Sequence, residues 1–105
     1  MAGGEIAVDK LYEDELVFAI RDIQPRAPTH LLIIPRRHIA SAQELSDADD
    51  ALLGRLFAAA RKLAESQGLA QRGYRLALNV GPEGGQTIYH LHMHLLGGRA
   101  MGAEG

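Results

Sequence analysis

The chain has 105 residues, 47% of them apolar and 23% charged, with a formal net charge of -2 and no cysteine. That length fits one domain around one core; the slightly acidic balance offers no basic field to recruit DNA or RNA, and zero cysteine excludes disulfides, thiol catalysis and thiolate metal sites. Apolar runs of a few residues fall far short of the roughly 20 that span a bilayer, and the opening MAGGEIAVDK carries acids where a secretory signal needs bases, so one cytoplasmic domain over residues 1–105 is expected.

In chain order, KLYEDELVFAIRDI (10–23) is rich in β-branched and aromatic residues and is broken by the acidic EDE at 13–15. It reads as two short strands in a hairpin. Pro25 and Pro28 in IQPRAPTH (23–30) favour extended backbone and forbid regular helix, and HLLIIP (30–35) then reads as a buried central strand.

The segment 45–69 opens with Ser46 three residues before Asp49, a helix start, and ends near Gly68, a left-handed terminator. Between them Leu52, Leu53, Leu56, Phe57, Ala60, Leu63 and Ala64 recur at helical spacing, with Arg55, Arg61, Lys62 and Glu65 turned outward. GYRLALNVG (73–81) alternates like a strand, and a second strand follows a glycine-rich turn. The order β-β-β-α-β-β predicts an α+β domain: a five-stranded antiparallel sheet with one main amphipathic helix.

YHLHMHLLGGR (89–99) holds three of the five histidines at alternate positions. In a strand, His90, His92 and His94 would share one face at intervals of about 6.6–6.8 Å, and Leu91, Met93 and Leu95 would face the core. Three readings compete: satisfied structural histidines, a zinc site of neighbouring imidazoles, and nucleophilic or acid–base catalysis by neutral imidazole. The absence of cysteine and of an adjacent carboxylate in this segment weighs against metal. Directly upstream, NVGPEGGQTIYH (79–90) supplies Gly81, Gly84 and Gly85, whose N–H groups could cradle an anion. Gln86 and Thr87 add side-chain donors, and Asn79 could bond a sugar hydroxyl. Catalysis on a phosphate is the reading that accounts for both segments.

The run from His90 to Leu96 resembles the His-φ-His-φ-His-φ-φ signature of the histidine triad (HIT) nucleotide-binding proteins. Ending in Gly97, Gly98 and Arg99, it is similar to the Hint branch in particular, and RDIQPRAPTHLLIIPRRHI (21–39) extends the likeness upstream. The resemblance implies a HIT-like fold, a two-fold homodimer with a continuous sheet, and hydrolysis of purine nucleoside 5'-phosphoramidates without a metal or other cofactor. It extends to aminoacyl adenylates and implies a covalent nucleotidyl-histidine intermediate. His92 would be the nucleophile. Asp22 and Ile23 would lie at ribose and base, Asn79 near the sugar, and Gly85, Gln86, Thr87 and His94 around the α-phosphate of a purine nucleoside monophosphate. His30 and His90, with His38 beside them, would orient the nucleophile or pass a proton. Leu56, Ala58 and Ala59 are the expected dimer patch, and Arg36 and Arg37 a solvated edge.

Departures from the pattern are Ala7 where proline is common, Thr87 where many Hint members have serine, and an AMGAEG terminus without tryptophan. The alternatives are a dinucleoside polyphosphate hydrolase of the same family and a non-catalytic module that holds a nucleotide or zinc.

Overall fold

The computed structural model describes residues 10–103; expectations that touch residues 1–9, including the departure at Ala7, lie outside them. Its elements are β1 (Tyr12–Glu13), β2 (Val17–Arg21), β3 (Thr29–Pro35), α1 (Asp50–Ser66), β4 (Arg75–Ala77) and β5 (Met93–Gly97), with 3-10 turns at Ala42–Glu44 and Asp47–Asp49. The strands form one antiparallel sheet in the order β1-β2-β3-β5-β4. Fold class and element order are as predicted. Among the described residues no helix is long and apolar enough to cross a membrane.

The hairpin turn is made by Asp14, whose Oδ1 accepts the N–H groups of Leu16 at 2.8 Å and Val17 at 2.9 Å. Burial opposes the charge on this carboxyl, but the Val17 and Leu16 amides, the Tyr12 hydroxyl and Arg55 outweigh it and hold its pKa at about 2.

The start signal at Ser46 caps the 3-10 turn Asp47–Asp49, which runs straight into α1 at Asp50. The Ser46 hydroxyl accepts the Ala48 N–H and the Asp49 carboxylate accepts the Ser46 N–H, a reciprocal cap that satisfies amides otherwise left open. The helix ends with Gly68 at φ 75, the Gly68 N–H on the Glu65 carbonyl and the Leu69 N–H on the Ala64 carbonyl. Only a residue at ease in left-handed backbone closes both bonds, and the buried Leu69 packs behind them.

One sheet face and α1 share the main core. Val17, Ala19, Leu31, Ile33, Met93 and Leu95 from the strands meet Leu52, Leu56, Ala59, Ala60, Leu63 and Ala64 from the helix. Phe57, expected on this face, is 49% exposed instead, because it stands roughly 100° around the helix from the buried Leu56. The expected dimer patch fails for the complementary reason. Leu56 and Ala59 are fully buried against the chain's own sheet, and of the three only Ala58 retains surface.

The opposite sheet face carries a smaller apolar cluster of Phe18, Ile20 and Ile34 with Leu32. The strand expected over 73–81 is confined to Arg75–Ala77, where its partners on β5 are Leu96, Leu95 and His94. Among the described residues it is an edge strand paired with β5 alone.

Replacing Asp14 by alanine should remove about 2 kcal/mol of stability, the scale of two lost side-chain-to-amide bonds at a turn. The folded carboxyl titrates below its ordinary 3.8, so this contribution is full above pH 4 and fades as the pH falls toward 2. Thermal melts of parent and variant should differ at pH 7 and converge in acid; melts that stay equally far apart at pH 2 would contradict the assignment.

Candidate active site

The β3–β5 register sets Leu32 opposite His94 and His30 opposite Leu96, so the two imidazoles are diagonal neighbours on the face away from α1. Only His94 of the histidine run belongs to a strand; His90 and His92 precede β5. The β3–β5 pairing ends at Ile33–Met93, and Pro35, two residues further along β3, has no N–H with which to extend it. The Pro35 carbonyl accepts the His90 Nε2–H at 2.9 Å, and the Leu91 N–H goes to the Ile39 carbonyl at 2.6 Å. Alternation nevertheless survives in burial. Leu91, Met93 and Leu95 are buried while His90, His92 and His94 are partly exposed.

Three hydrogen bonds determine where the ring protons sit. A carbonyl can only accept, so the 2.9 Å contact between His92 Nδ1 and the His90 carbonyl puts the His92 proton on Nδ1 and leaves the lone pair on Nε2. An amide N–H can only donate, so the Arg26 N–H, 3.0 Å from His30 Nδ1, makes that nitrogen an acceptor and places the His30 proton on Nε2. That proton points at His94 Nδ1, 2.8 Å away, so neutral His94 carries its own proton on Nε2. The rings of His92 and His94 lie 4.9 Å apart, centre to centre.

Neutrality follows from burial. His94 is pushed down to about 4, first by desolvation and then by the repulsion that a charge on it would meet from the neighbouring His92 and His30 rings and Arg26; Asp22 pulls the other way. Desolvation likewise lowers His30 against the pull of Asp22. The 3.4 Å contact from His30 Nε2 to Asp22 Oδ2 is therefore a second acceptor for a neutral ring, not an ion pair.

The other expected residues divide. Asn79 joins Arg26, His30, Arg75, His94 and Leu96 around an open cleft of about 470 Å³. Asp22 accepts the Gln24 N–H on Oδ1 at 2.8 Å and turns Oδ2 to His30. Ile23 is 93% exposed and projects into solvent. Gln86 does not offer its carboxamide to a ligand. Its Oε1 accepts the Gly81 N–H, and its Nε2 donates to the Ala40 and Ile88 carbonyls. The glycine cradle is corrected in the same way: the Gly85 N–H bonds Pro82 and the Gly81 N–H bonds Gln86, so both are spent closing the turn. Thr87 stands exposed beside it. His38 is exposed and packs edge-on to His90.

As expected of a solvated edge, Arg36 pairs with Glu13 and Arg37 with Asp49. The main chain of Arg26 and the side chain of Arg75 were not anticipated; the proline-flanked PRAP is the one sequence signal that this loop has a fixed shape.

Among the described residues, Asp22, His30 and His94 offer ligand atoms within 4.8 Å of one another. Their second shell does not suit a cation. A metal-bound imidazole donates its other nitrogen's proton to an acceptor, whereas His30 Nδ1 receives a proton from a backbone amide. A metal on His30 Nε2 would set two protons against each other.

The family model described as HIT domain matches residues 3–101. The chain belongs to the HIT family. It is 51% identical over 98 residues to the purine nucleoside phosphoramidase of Escherichia coli (strain K12), covering 93% of this chain and 82% of that protein. A HIT family hydrolase from Legionella pneumophila Philadelphia 1 superposes with a TM-score of 0.94 at 51% identity, covering 97% of this chain and 91% of that one. A Zn-bound histidine triad family protein from Mycobacterium smegmatis superposes at 0.77 with 28% identity, covering 93% and 70%. In this HIT chain the histidine run thus sits on the fold its signature implied.

The tautomers make a measurable statement. In an NMR pH titration His94 should stay neutral from alkaline pH down to about 4. A midpoint near the ordinary 6.5 would show that burial does not govern the ring.

Proposed function

We propose that this protein hydrolyses purine nucleoside 5'-phosphoramidates, with His92 as the nucleophile. The observation that carries the reading is the His92 Nδ1–H bond to the His90 carbonyl. It holds the ring in the one neutral form whose Nε2 can attack, the orientation by a second group that activated nucleophiles need.

The lone pair of Nε2 forms a bond to the α-phosphorus as the P–N bond breaks. The departing nitrogen takes a proton from solvent and leaves as the amine. Water then adds to phosphorus, breaks the P–Nε2 bond and releases the nucleoside monophosphate and one proton, which restores neutral His92. His94 acts as a donor rather than an acid. Its Nε2–H, fixed by His30, is directed at oxygens that gain charge in the transition state, and such a donor is worth about 10²–10³ in rate.

The same attack would serve aminoacyl adenylates, whose carboxylate leaves without a proton. In this reading Asp22 and Asn79 hold the ribose and Thr87 lies at the phosphate edge. Ile23, projecting from the end of the sheet, would gain cover from a base stacked against it.

With a fluorogenic adenosine 5'-phosphoramidate, the parent should release amine, His92→Ala should release none above background, and His94→Ala should lose about 10²–10³ in kcat. A His92→Ala variant that turns over like the parent would sink the mechanism, and a parent that binds AMP without releasing amine would sink the enzyme.

Pairing of the β4 edge with a second copy would continue the sheet across a two-fold axis. Light scattering should then give about 23 kDa, twice the 11.4 kDa of one chain; a mass of one chain excludes the pairing.

A further inference from the structure

The main chain of Arg26 is held from both sides. Its N–H donates to His30 Nδ1 at 3.0 Å and its carbonyl accepts the Arg99 guanidinium at 2.7 Å. Two glycines at the end of β5 deliver Arg99 to that place. Gly97 passes so near Leu69 that a Cβ would come within 2.6 Å of its side chain. Gly98, at φ 93, turns against Pro28, whose Cβ would lie 2.8 Å from any side chain there. A guanidinium committed to the Ala100 carbonyl at 3.0 Å and the Arg26 carbonyl is spent on the loop.

Resting on the phosphoramidase reading, we infer that the Arg26 main chain is a positioning element for the reaction and that Arg99 is its brace. The Arg26 N–H keeps the His30 proton on Nε2, and His30 in turn keeps the His94 proton on Nε2.

The consequence reaches the reacting group because the tautomer is passed along. A neutral imidazole has one N–H and one lone pair, and in water the two forms differ little, so one well-placed hydrogen bond selects between them. Without the Arg26 amide, His30 could move its proton to Nδ1 and turn a lone pair toward His94 Nδ1. His94 would then carry its proton inward, and its outer nitrogen would face the phosphoryl oxygens with a lone pair. A donor that attracts the developing charge would become an acceptor that repels it.

Main chain and side chain can be separated. Arg26→Ala keeps the amide and removes the guanidinium that borders the cleft, whereas Arg26→Pro removes the amide beside Pro25, which already restricts the backbone. Arg99→Ala removes the brace alone.

The test is the ¹⁵N signature of the ring nitrogens in the uniformly labelled full chain at pH 7, together with steady-state kinetics on adenosine 5'-phosphoramidate. Parent and Arg26→Ala should show His30 and His94 purely as the Nε2–H form. In Arg26→Pro both rings should move toward a mixture, with kcat down about tenfold and KM within about twofold. Arg99→Ala should move the same signals less, with kcat down about threefold.

Two results overturn the inference: a parent His30 protonated on Nδ1, or an Arg26→Pro protein of native spectral dispersion whose rings keep the pure Nε2–H form. If Arg26→Pro loses native dispersion, Arg99→Ala decides, and unchanged ring signals and kcat there overturn it. The tautomers are read without substrate. Absence of turnover by a parent with the expected tautomers therefore counts against the phosphoramidase reading alone.

Discussion

The antiparallel register between β3 and β5 is the constraint on which the site depends. It places His30 and His94, 64 residues apart in the chain, close enough for a 2.8 Å ring-to-ring hydrogen bond. A slip of one residue would turn His94 into the core and Leu95 out of it. What prevents the slip is not the histidines. Leu31, Ile33, Met93 and Leu95 are buried against α1, and each large side chain so buried is worth about 1.5–3 kcal/mol, whereas the ring-to-ring bond contributes about 1 kcal/mol net. Packing on one face of the sheet fixes hydrogen-bond chemistry on the other.

That division explains why the polar face can tolerate so many imidazoles side by side. Positive rings with centres 4.9 to 5.2 Å apart would repel, and burial already penalises charge. Desolvation keeps His30 and His94 neutral, so they meet as donor and acceptor. The protons are then arranged by groups with no freedom to change role: an amide that must donate at Arg26 and carbonyls that must accept at His90 and Pro35. The same rigidity makes the Asp22–His30–His94 cluster a poor cage for a cation.

Much of the fold was legible in the sequence because its signals are local. The Ser46–Asp49 box marks the 3-10 turn that leads into the helix and Gly68 marks its end, and the alternation from Leu91 to Leu95 identifies the face that is buried. What was illegible depends on partners remote in sequence. Nothing in the helix periodicity tells Phe57 from Leu56, since which side of a broad apolar stripe turns outward is decided by the sheet beneath. The amides of Gly81 and Gly85 look available in a glycine-rich segment, yet Gln86, an apparent ligand donor, is the residue that staples the turn shut. His30 was legible as a site residue from its motif, but the donor that fixes its tautomer belongs to a backbone and has no side-chain signature at all.

The largest departure from the period-two reading also has the clearest chemical sense. Were His90 and His92 part of β5, the His90 carbonyl would be taken by a neighbouring strand in the ladder, as strand carbonyls are. Because the β3–β5 ladder stops at Ile33–Met93, that carbonyl is left to accept the Nδ1–H of His92 two residues on. A strand would have presented three equivalent imidazoles, each free to choose its tautomer. The break leaves His94, the proposed donor to phosphate, on rigid pairing and gives His92 a local acceptor that fixes its lone pair on Nε2. Strand and non-strand backbone are both needed within five residues, and the apolar spacers Leu91 and Met93 hold the two parts in register across the break.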